Sequence, residues 1–397
     1  MTVGPRRLRL AVVGVGDVAQ RDYMPEAHRI TDVAEIVVVC GRGEDRAREV
    51  AGHFGVARWA AGYRQAVAAD DVDAVVNLTS VEAHAEVTLA ALRAGKHVYT
   101  EKPLAPSAAD AVELRDEAAR RGLILVCAPS VMVFPQLVAA KEVVASGRLG
   151  PIHAARAVAF GGVPPWAGYI SDPSPYFRPE VGPLVDVGVY PLHALAGLLG
   201  PVRKVTAMSS RTQDSFAVTD GPARGTVVPV EVDDNWQLIL ECGTGTGTDG
   251  GTRAIASVQA NFCAVAPTGP GCELFGEHGT LGFDLLDVAA PLRLSAGEGW
   301  AEEQVAHERA GGPDHILGVR HLAECVLFGR QPLLGPDRAI HVLDVIEATR
   351  ASAREGRTVE VRARGDGPAA HEDNEVRADN TGPAAHQGNP VKETSRE

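Results

Sequence analysis

Aromatic residues make up only 5% of this chain, and basic residues are outnumbered, 38 against 51 acidic ones. No apolar run approaches the roughly 18 residues of a bilayer-crossing helix, so none is expected. A formal net charge of −13 argues against nucleic acid, whose binders carry a basic field, and against an anionic membrane surface. The six cysteines are scattered with no CxxC pair. They read as reduced thiols in a cytoplasmic protein, not as a disulfide frame or a zinc site. The apolar stretch near the N-terminus is broken by glycines and lacks a small-residue cleavage site, so no signal peptide is expected. What is present is 397 residues, 45% of them hydrophobic, enough for two domains and a tail.

Through residue 128 the sequence alternates between two patterns. Short β-branched runs at Leu8–Val13, Ile36–Cys40, Ala74–Leu78, His97–Thr100 and Leu123–Cys127 predict strands. Between them, Asp45–Phe54, Tyr63–Ala68, Ala83–Ala94 and Ser107–Arg121 predict helices, with Ser107 as an N-cap and Gly122 beyond the last helix. Strand and helix in alternation imply a doubly wound parallel sheet. From 129 to 361 the pattern changes. Helices are predicted at Pro135–Ser146, Leu184–Leu199, Asp314–Phe328 and Asp337–Arg354. Strand-like runs at 152–160, 202–209, 236–242, 254–262, 272–275 and 280–284, mostly joined by turns, predict an α+β domain with an open, largely antiparallel sheet. Gly161–Pro183, Arg211–Gly225 and Gly243–Gly251 read as loops, and 362–397 as a disordered polar tail.

The strand Leu8–Val13 runs into Gly14-Val15-Gly16-Asp17-Val18-Ala19 and then a helix. This GxGxxA pattern lets the chain turn tightly and its amides approach a pyrophosphate, so residues 14–18 are candidate dinucleotide contacts. The tip of the second strand reads Cys40-Gly41-Arg42-Gly43. An acidic residue for the ribose of NAD is missing there, and Arg42 suits the 2′-phosphate of NADP, so NADP is favoured over NAD, although Glu44 and Asp45 stand close by. Thr79 and Ser80, after the next strand, face either the cofactor or the cap of the following helix. His84 reads as a cofactor contact or, better, a helix-surface histidine. Glu101-Lys102-Pro103 follows the strand His97–Thr100; Glu101 and Lys102 are candidate cofactor contacts there, and Lys102 either reaches a substrate or is an exposed loop lysine. Asp186, Tyr190 and His193 would share one face of a helix, as acid/base groups or as a polar seam.

With Ala94-Gly95-Lys96-His97-Val98 leading into Glu101-Lys102-Pro103, Gly147-Arg148-Leu149-Gly150-Pro151, Asp186-Val187-Gly188-Val189-Tyr190 and Glu277-His278-Gly279-Thr280-Leu281, the chain resembles the Gfo/Idh/MocA family of NAD(P)-dependent oxidoreductases over residues 8–361. The resemblance implies a Rossmann domain followed by a substrate domain that also mediates homo-oligomerisation. It implies a sugar, cyclitol or other polyol substrate and no metal. It also implies that Lys102 bonds the reacting oxygen and lowers the pKa of an acid/base partner. Many members place a His at that partner position. Here it is Tyr190, as in the glucose–fructose oxidoreductase and dihydrodiol dehydrogenase branches. Asp186 would orient the substrate or Lys102, and His193 is a second acid/base candidate. Gly161–Pro183 should border the pocket, where one of Trp166, Tyr169 and Tyr176 would pack on a sugar ring and Arg178 would hold an anionic group, or where the aromatics serve only to pack the loop on the domain. Two other readings remain: a glycoside hydrolase with permanently bound, transiently reduced NAD, and an inactive dinucleotide sensor.

Overall fold

The computed structural model describes residues 6–363 apart from 161, 166–167, 220, 244–252, 266–268, 270, 296, 298 and 310. Strand β1 (Leu8–Val13) is buried along nearly its whole length, as a strand covered on both faces must be. It pairs in parallel with β2 (Ala34–Gly41) and, after helix α1 (Glu44–His53), β3 (Trp59–Ala61) and α2 (Tyr63–Val67), with β4 (Ala74–Asn77). Helix α3 (Val81–Arg93), β5 (His97–Thr100), α4 (Ala108–Arg121) and β6 (Leu125–Cys127) complete a parallel sheet of order β3-β2-β1-β4-β5-β6. The order reverses between β1 and β4. Ligands of such sheets bind at that switch point, beyond the carboxyl ends of the strands. Ser107 caps α4 as expected, its Oγ accepting from the Asp110 amide at 3.1 Å, and Gly122 closes the helix in the left-handed region. The helix expected after the glycine turn is short, with a π-helical turn at Ala19–Tyr23 and a 3-10 turn at Ala27–Ile30.

Beyond α5 (Pro135–Ala145) come β7 (Ile152–Phe160), α6 (Gly182–Asp186), α7 (Val189–Leu199) and β8 (Val202–Ser210). Strands β9 (Ser215–Ala217) and β10 (Val227–Pro229) pair as a hairpin, so 211–225, read as loop, contains a strand. The chain continues through β11 (Asn235–Gly243), β12 (Arg253–Asn261), β13 (Cys272–Gly276), β14 (Thr280–Phe283), β15 (Leu292–Ser295) and β16 (Ala301–Glu303). It ends with α8 (Ile316–Phe328), α9 (Pro336–Glu355) and β17 (Val359–Glu360). The resulting sheet has the order β16-β15-β14-β13-β7-β12-β11-β8-β17. Every described neighbour pair in it is antiparallel except β7 with β12. Elements of two or three residues such as β3 and β17 carry too little periodicity to be read from sequence. Both sheets share one buried core that runs from Leu8 to Val361. The tail from 364 and the loop 244–252 lie outside the described residues, as does Trp166. No described helix is long and apolar enough to cross a membrane.

Candidate active site

Gly14 follows β1 directly and lies against the backbone that leaves β4. Its φ is +107°, and a Cβ there would lie 2.3 Å from the Leu78 carbonyl oxygen, so only glycine fits. A Cβ on Gly16 would meet nothing within 4 Å. That leaves an open cradle over the switch point, which suits a pyrophosphate. Val15 and Gly16 lend their carbonyls to Gln20, at 2.7 and 3.4 Å. The Asp17 side chain does not face this cradle. It is buried, accepts from the Ile170 amide at 2.9 Å and pairs with Arg21 at 2.8 Å. It therefore ties the glycine turn to the segment that approaches β1 from the second sheet, and burial raises its pKa. Only its main chain and that of Val18 remain as candidate cofactor contacts.

At the tip of β2, Gly41 packs on Val15 so tightly that a Cβ would lie 2.9 Å from its side chain. Arg42 is exposed. The carboxylates that follow it are engaged. Asp45 bonds Arg48, and Glu44 lies 3.8 Å from Arg48. Thr79 turns its hydroxyl to Asn77 at 2.7 Å, and Ser80 occupies the N-cap position of α3 without a side-chain cap bond. His84 is not on the helix surface. It is buried, and its ring nitrogens face the carbonyls of Pro103 at 2.7 Å and Thr79 at 3.1 Å. It braces the end of β4 against the Lys102–Pro103 turn, and burial lowers its pKa.

Lys102 and Asp186, 84 residues apart, meet here. The continuous helix expected at 184–199 is broken: α6 stops at Asp186 and α7 restarts at Val189. A Cβ on Gly188 would sit 2.7 Å from the Leu184 carbonyl oxygen and 3.2 Å from Ala260 Cβ, so this junction packs too closely for a side chain. The break leaves the Asp186 carbonyl without an intrahelical donor. Lys102 Nζ donates to that carbonyl at 2.9 Å and to Asp186 Oδ1 at 2.7 Å. The other carboxylate oxygen, Oδ2, is buried with no hydrogen-bond donor among the described residues. Burial pulls the Lys102 pKa down, but Asp186 and Glu101 outweigh it and the net shift is upward.

Tyr190 lies under this ammonium, with Nζ 5.7 Å from the ring centroid, within cation–π range. The expected lowering of its pKa does not occur. Burial and the charges of Glu101, Asp186 and Asp22 hold it well above 10, so the phenol is protonated at neutral pH. His193 lines a small internal cavity with Lys102. Burial, Arg338 and His341 push its pKa down to about 3, so it is neutral and has no spare proton to give.

Tyr23, Ser130, Asp314 and His315, which join the site here, carried no local sequence signal. Glu101, expected as a cofactor contact, turns its carboxylate inward. It accepts from Tyr23 Oη at 2.5 Å and from the Lys102 amide at 2.9 Å. Tyr23 continues to Tyr99 at 2.7 Å and on to Ser130 at 3.0 Å. His315 stacks on Tyr23 with ring centroids 5.6 Å apart. Neighbouring Asp314, fully buried, receives both terminal nitrogens of Arg29 at 2.9 and 2.8 Å. Tyr169 and Tyr176 form a tilted pair 5.7 Å apart near Asp186, whose charge helps raise both phenols after burial has done so. Arg178 is exposed, and its charge adds to the lowering of the Glu82 and Asp172 carboxyls that hydrogen bonds begin. Among the described residues no group of His, Cys, Asp and Glu has the placement to hold a metal.

A family model described as an oxidoreductase family with an NAD-binding Rossmann fold matches residues 8–128, and one described as the GFO/IDH/MocA C-terminal domain matches residues 137–282. The chain is 38% identical over 202 residues to a dTDP-3,4-didehydro-2,6-dideoxy-alpha-D-glucose 3-reductase of Streptomyces violaceoruber, covering 50% of this chain and 57% of that one. It is 31% identical over 222 residues to a 1,5-anhydro-D-fructose reductase of Ensifer adhaerens, covering 55% and 65%. In both, the match spans less than two-thirds of the relative's length. Aldose-aldose oxidoreductase from Caulobacter crescentus, solved with glycerol, superposes with a TM-score of 0.72 at 26% identity, covering 89% of this chain and 100% of that one.

Proposed function

This chain belongs to the Gfo/Idh/MocA oxidoreductase family, and from that premise we propose that it interconverts a keto-sugar, keto-cyclitol or related ketone with its alcohol, using NADP in preference to NAD. When bound, the nicotinamide supplies or takes up the hydride. The observation that carries the reading is the grip of Asp186 on Lys102. An ammonium has three N–H donors, and Asp186 takes two of them. The third is left to donate to the reacting oxygen, and the neighbouring carboxylates keep the group charged.

Tyr190 is the proton donor. A carbonyl oxygen gains negative charge during reduction until it is more basic than the phenol, and the O–H then passes its proton across. A phenol held well above 10 suits donation better than abstraction, so reduction is the favoured direction at neutral pH. Asp186 Oδ2, buried without a donor among the described residues, suits a hydroxyl adjacent to the reacting carbon, because an unmet buried acceptor gains most from a new bond. Glu101, held by Tyr23, positions Lys102 through its main-chain amide. Tyr169 and Tyr176 supply an apolar wall for a sugar ring, and Arg178 suits an anionic substituent. His193 packs behind Lys102 and stays out of proton transfer.

Arg42 at the end of β2 carries the NADP preference. Glu44 and Asp45 lie on Arg48 and do not oppose it. The reductases of a dTDP-linked keto-sugar and of a free anhydro-keto-sugar among the relatives support the substrate class. Unpaired cysteines fit a reducing cytoplasm. Exposed Met208, Ile239 and Ile255 on the large sheet support association of copies. The test is oxidation of NADPH by the purified protein with free and nucleotide-linked keto-sugars. Turnover by the wild type, and binding without turnover by Lys102→Met, are expected. Undiminished turnover by that variant overturns the assignment.

A further inference from the structure

A cavity of about 310 Å³ opens between α5, the C-terminal half of α7 and the first turn of α9. None of the residues assigned above to cofactor or substrate lines it. Small-molecule sites begin at about 300 Å³, so the volume suffices for a compact organic ligand. Its apolar floor is Met132, which is buried. A Cβ on Gly197 would lie 2.4 Å from the Met132 sulfur, so glycine at this point of α7 is what lets the thioether lie across the helix. Val138 and Leu333 stand at the rim, 42% and 44% exposed.

Arg338 supplies the polar end. A guanidinium has five N–H donors, and Arg338 uses Nη1 on the Leu333 carbonyl at 2.7 Å. The neighbouring carboxylate, Asp337, is turned to Arg115 at 3.3 Å. No described carboxylate lies within ion-pair distance of Arg338. The guanidinium is half withdrawn from water, which lowers its pKa. Proteins seldom leave a desolvated charge without a counter-charge. Lys141 and Glu142 complete the lining, which thus carries two cations against one anion.

We propose that this cavity binds a small organic anion, a carboxylate or phosphate monoester. Its head would pair with the planar fork of Arg338, and its apolar body would lie against Met132 and Leu333. The volume is about twice the ~150 Å³ that takes benzene, which sets the body at about ten non-hydrogen atoms.

The experiment is calorimetric titration of the full chain, saturated with NADPH, with phenyl phosphate, benzoate, inorganic phosphate and neutral benzyl alcohol. NADPH saturation removes the glycine turn as a competing anion site. The expected result is binding of phenyl phosphate or benzoate, whichever head the site prefers, and much weaker binding of inorganic phosphate and benzyl alcohol. Arg338→Met, which removes the charge, and Ala145→Phe, which fills the cavity from an exposed position, should each weaken binding by about tenfold or more. Failure of both aromatic anions to bind the wild type overturns the proposal, as does binding that survives both substitutions. A change of sedimentation coefficient in Arg338→Met, with no anion bound by the wild type, would assign the cavity to contact between copies and equally overturn it.

Discussion

The Lys102 ammonium is held by two oxygens of one residue, Asp186 Oδ1 at 2.7 Å and the Asp186 main-chain carbonyl at 2.9 Å. The first contact needs the side chain. The second needs the helix to end at that residue. Because both partners are largely buried, removing either strands the other away from water, at a cost of about 3 kcal/mol.

Lys102→Met is therefore expected to lower turnover by about a hundredfold or more and stability by about 3 kcal/mol, with NADPH affinity nearly intact. Chemical denaturation, steady-state kinetics and fluorescence titration read the three quantities separately. Asp186→Asn, which keeps both oxygen contacts but loses the charge, should fall between wild type and Lys102→Met in both stability and turnover.

Tyr190→Phe should lower kcat by about 10²- to 10⁴-fold with a small change in KM, because the proposed proton donor is lost and the ring is kept. His193→Asn should cost less than Tyr190→Phe, since a histidine with its pKa near 3 has no proton to donate at neutral pH. A larger loss in the histidine variant would move the donor assignment to His193.

Arg42→Ala should weaken NADPH binding by about 10- to 100-fold, the worth of a charge-assisted bond to phosphate, and leave NADH binding almost unchanged. Equal losses for both cofactors would remove Arg42 from the phosphate site.

Tyr23→Phe deletes the 2.5 Å bond to Glu101 and leaves a buried carboxylate oxygen short of a donor, worth about 1–3 kcal/mol of stability. Since Glu101 also holds the Lys102 amide, kcat should fall while the dissociation constant for NADPH stays nearly constant. A fall in stability with kcat unchanged would reduce Tyr23 to a packing role.

Stability should respond to acid in two stages. His84, His193 and His315 are buried with lowered pKa values. The unfolded chain therefore takes up protons first as pH falls below about 6.5, and stability declines from there. Asp73, held low first by its bond to Arg9, and Glu117, held low first by Arg121, add their loss only below about pH 4. Urea midpoints at pH 7.5, 6 and 5 should fall in that order, and His193→Asn should flatten the first stage. Lys102, raised in the fold, contributes below about pH 10.5 and loses its contribution above it.

The sequence by itself determined the alternation of strands and helices that gives the parallel sheet, the glycine turn after β1, the strand edge that ends in Lys102, and the later strands that build the second sheet. These features are local. Side-chain periodicity, glycine placement and cap residues set them over a few positions, so they are legible one segment at a time. The tertiary structure decided what those residues do to one another. It broke the helix at Val187-Gly188, and so freed the Asp186 carbonyl for Lys102. It turned Asp17 away from the cradle toward Ile170, drew His84 inside and linked Glu101 to Tyr23, Tyr99 and Ser130. It also raised the pKa of Tyr190 where a nearby lysine alone would lower it. Most of these outcomes depend on burial and on partners tens to hundreds of residues away, such as Lys102 with Asp186 and Asp17 with Ile170, which no window of sequence contains together.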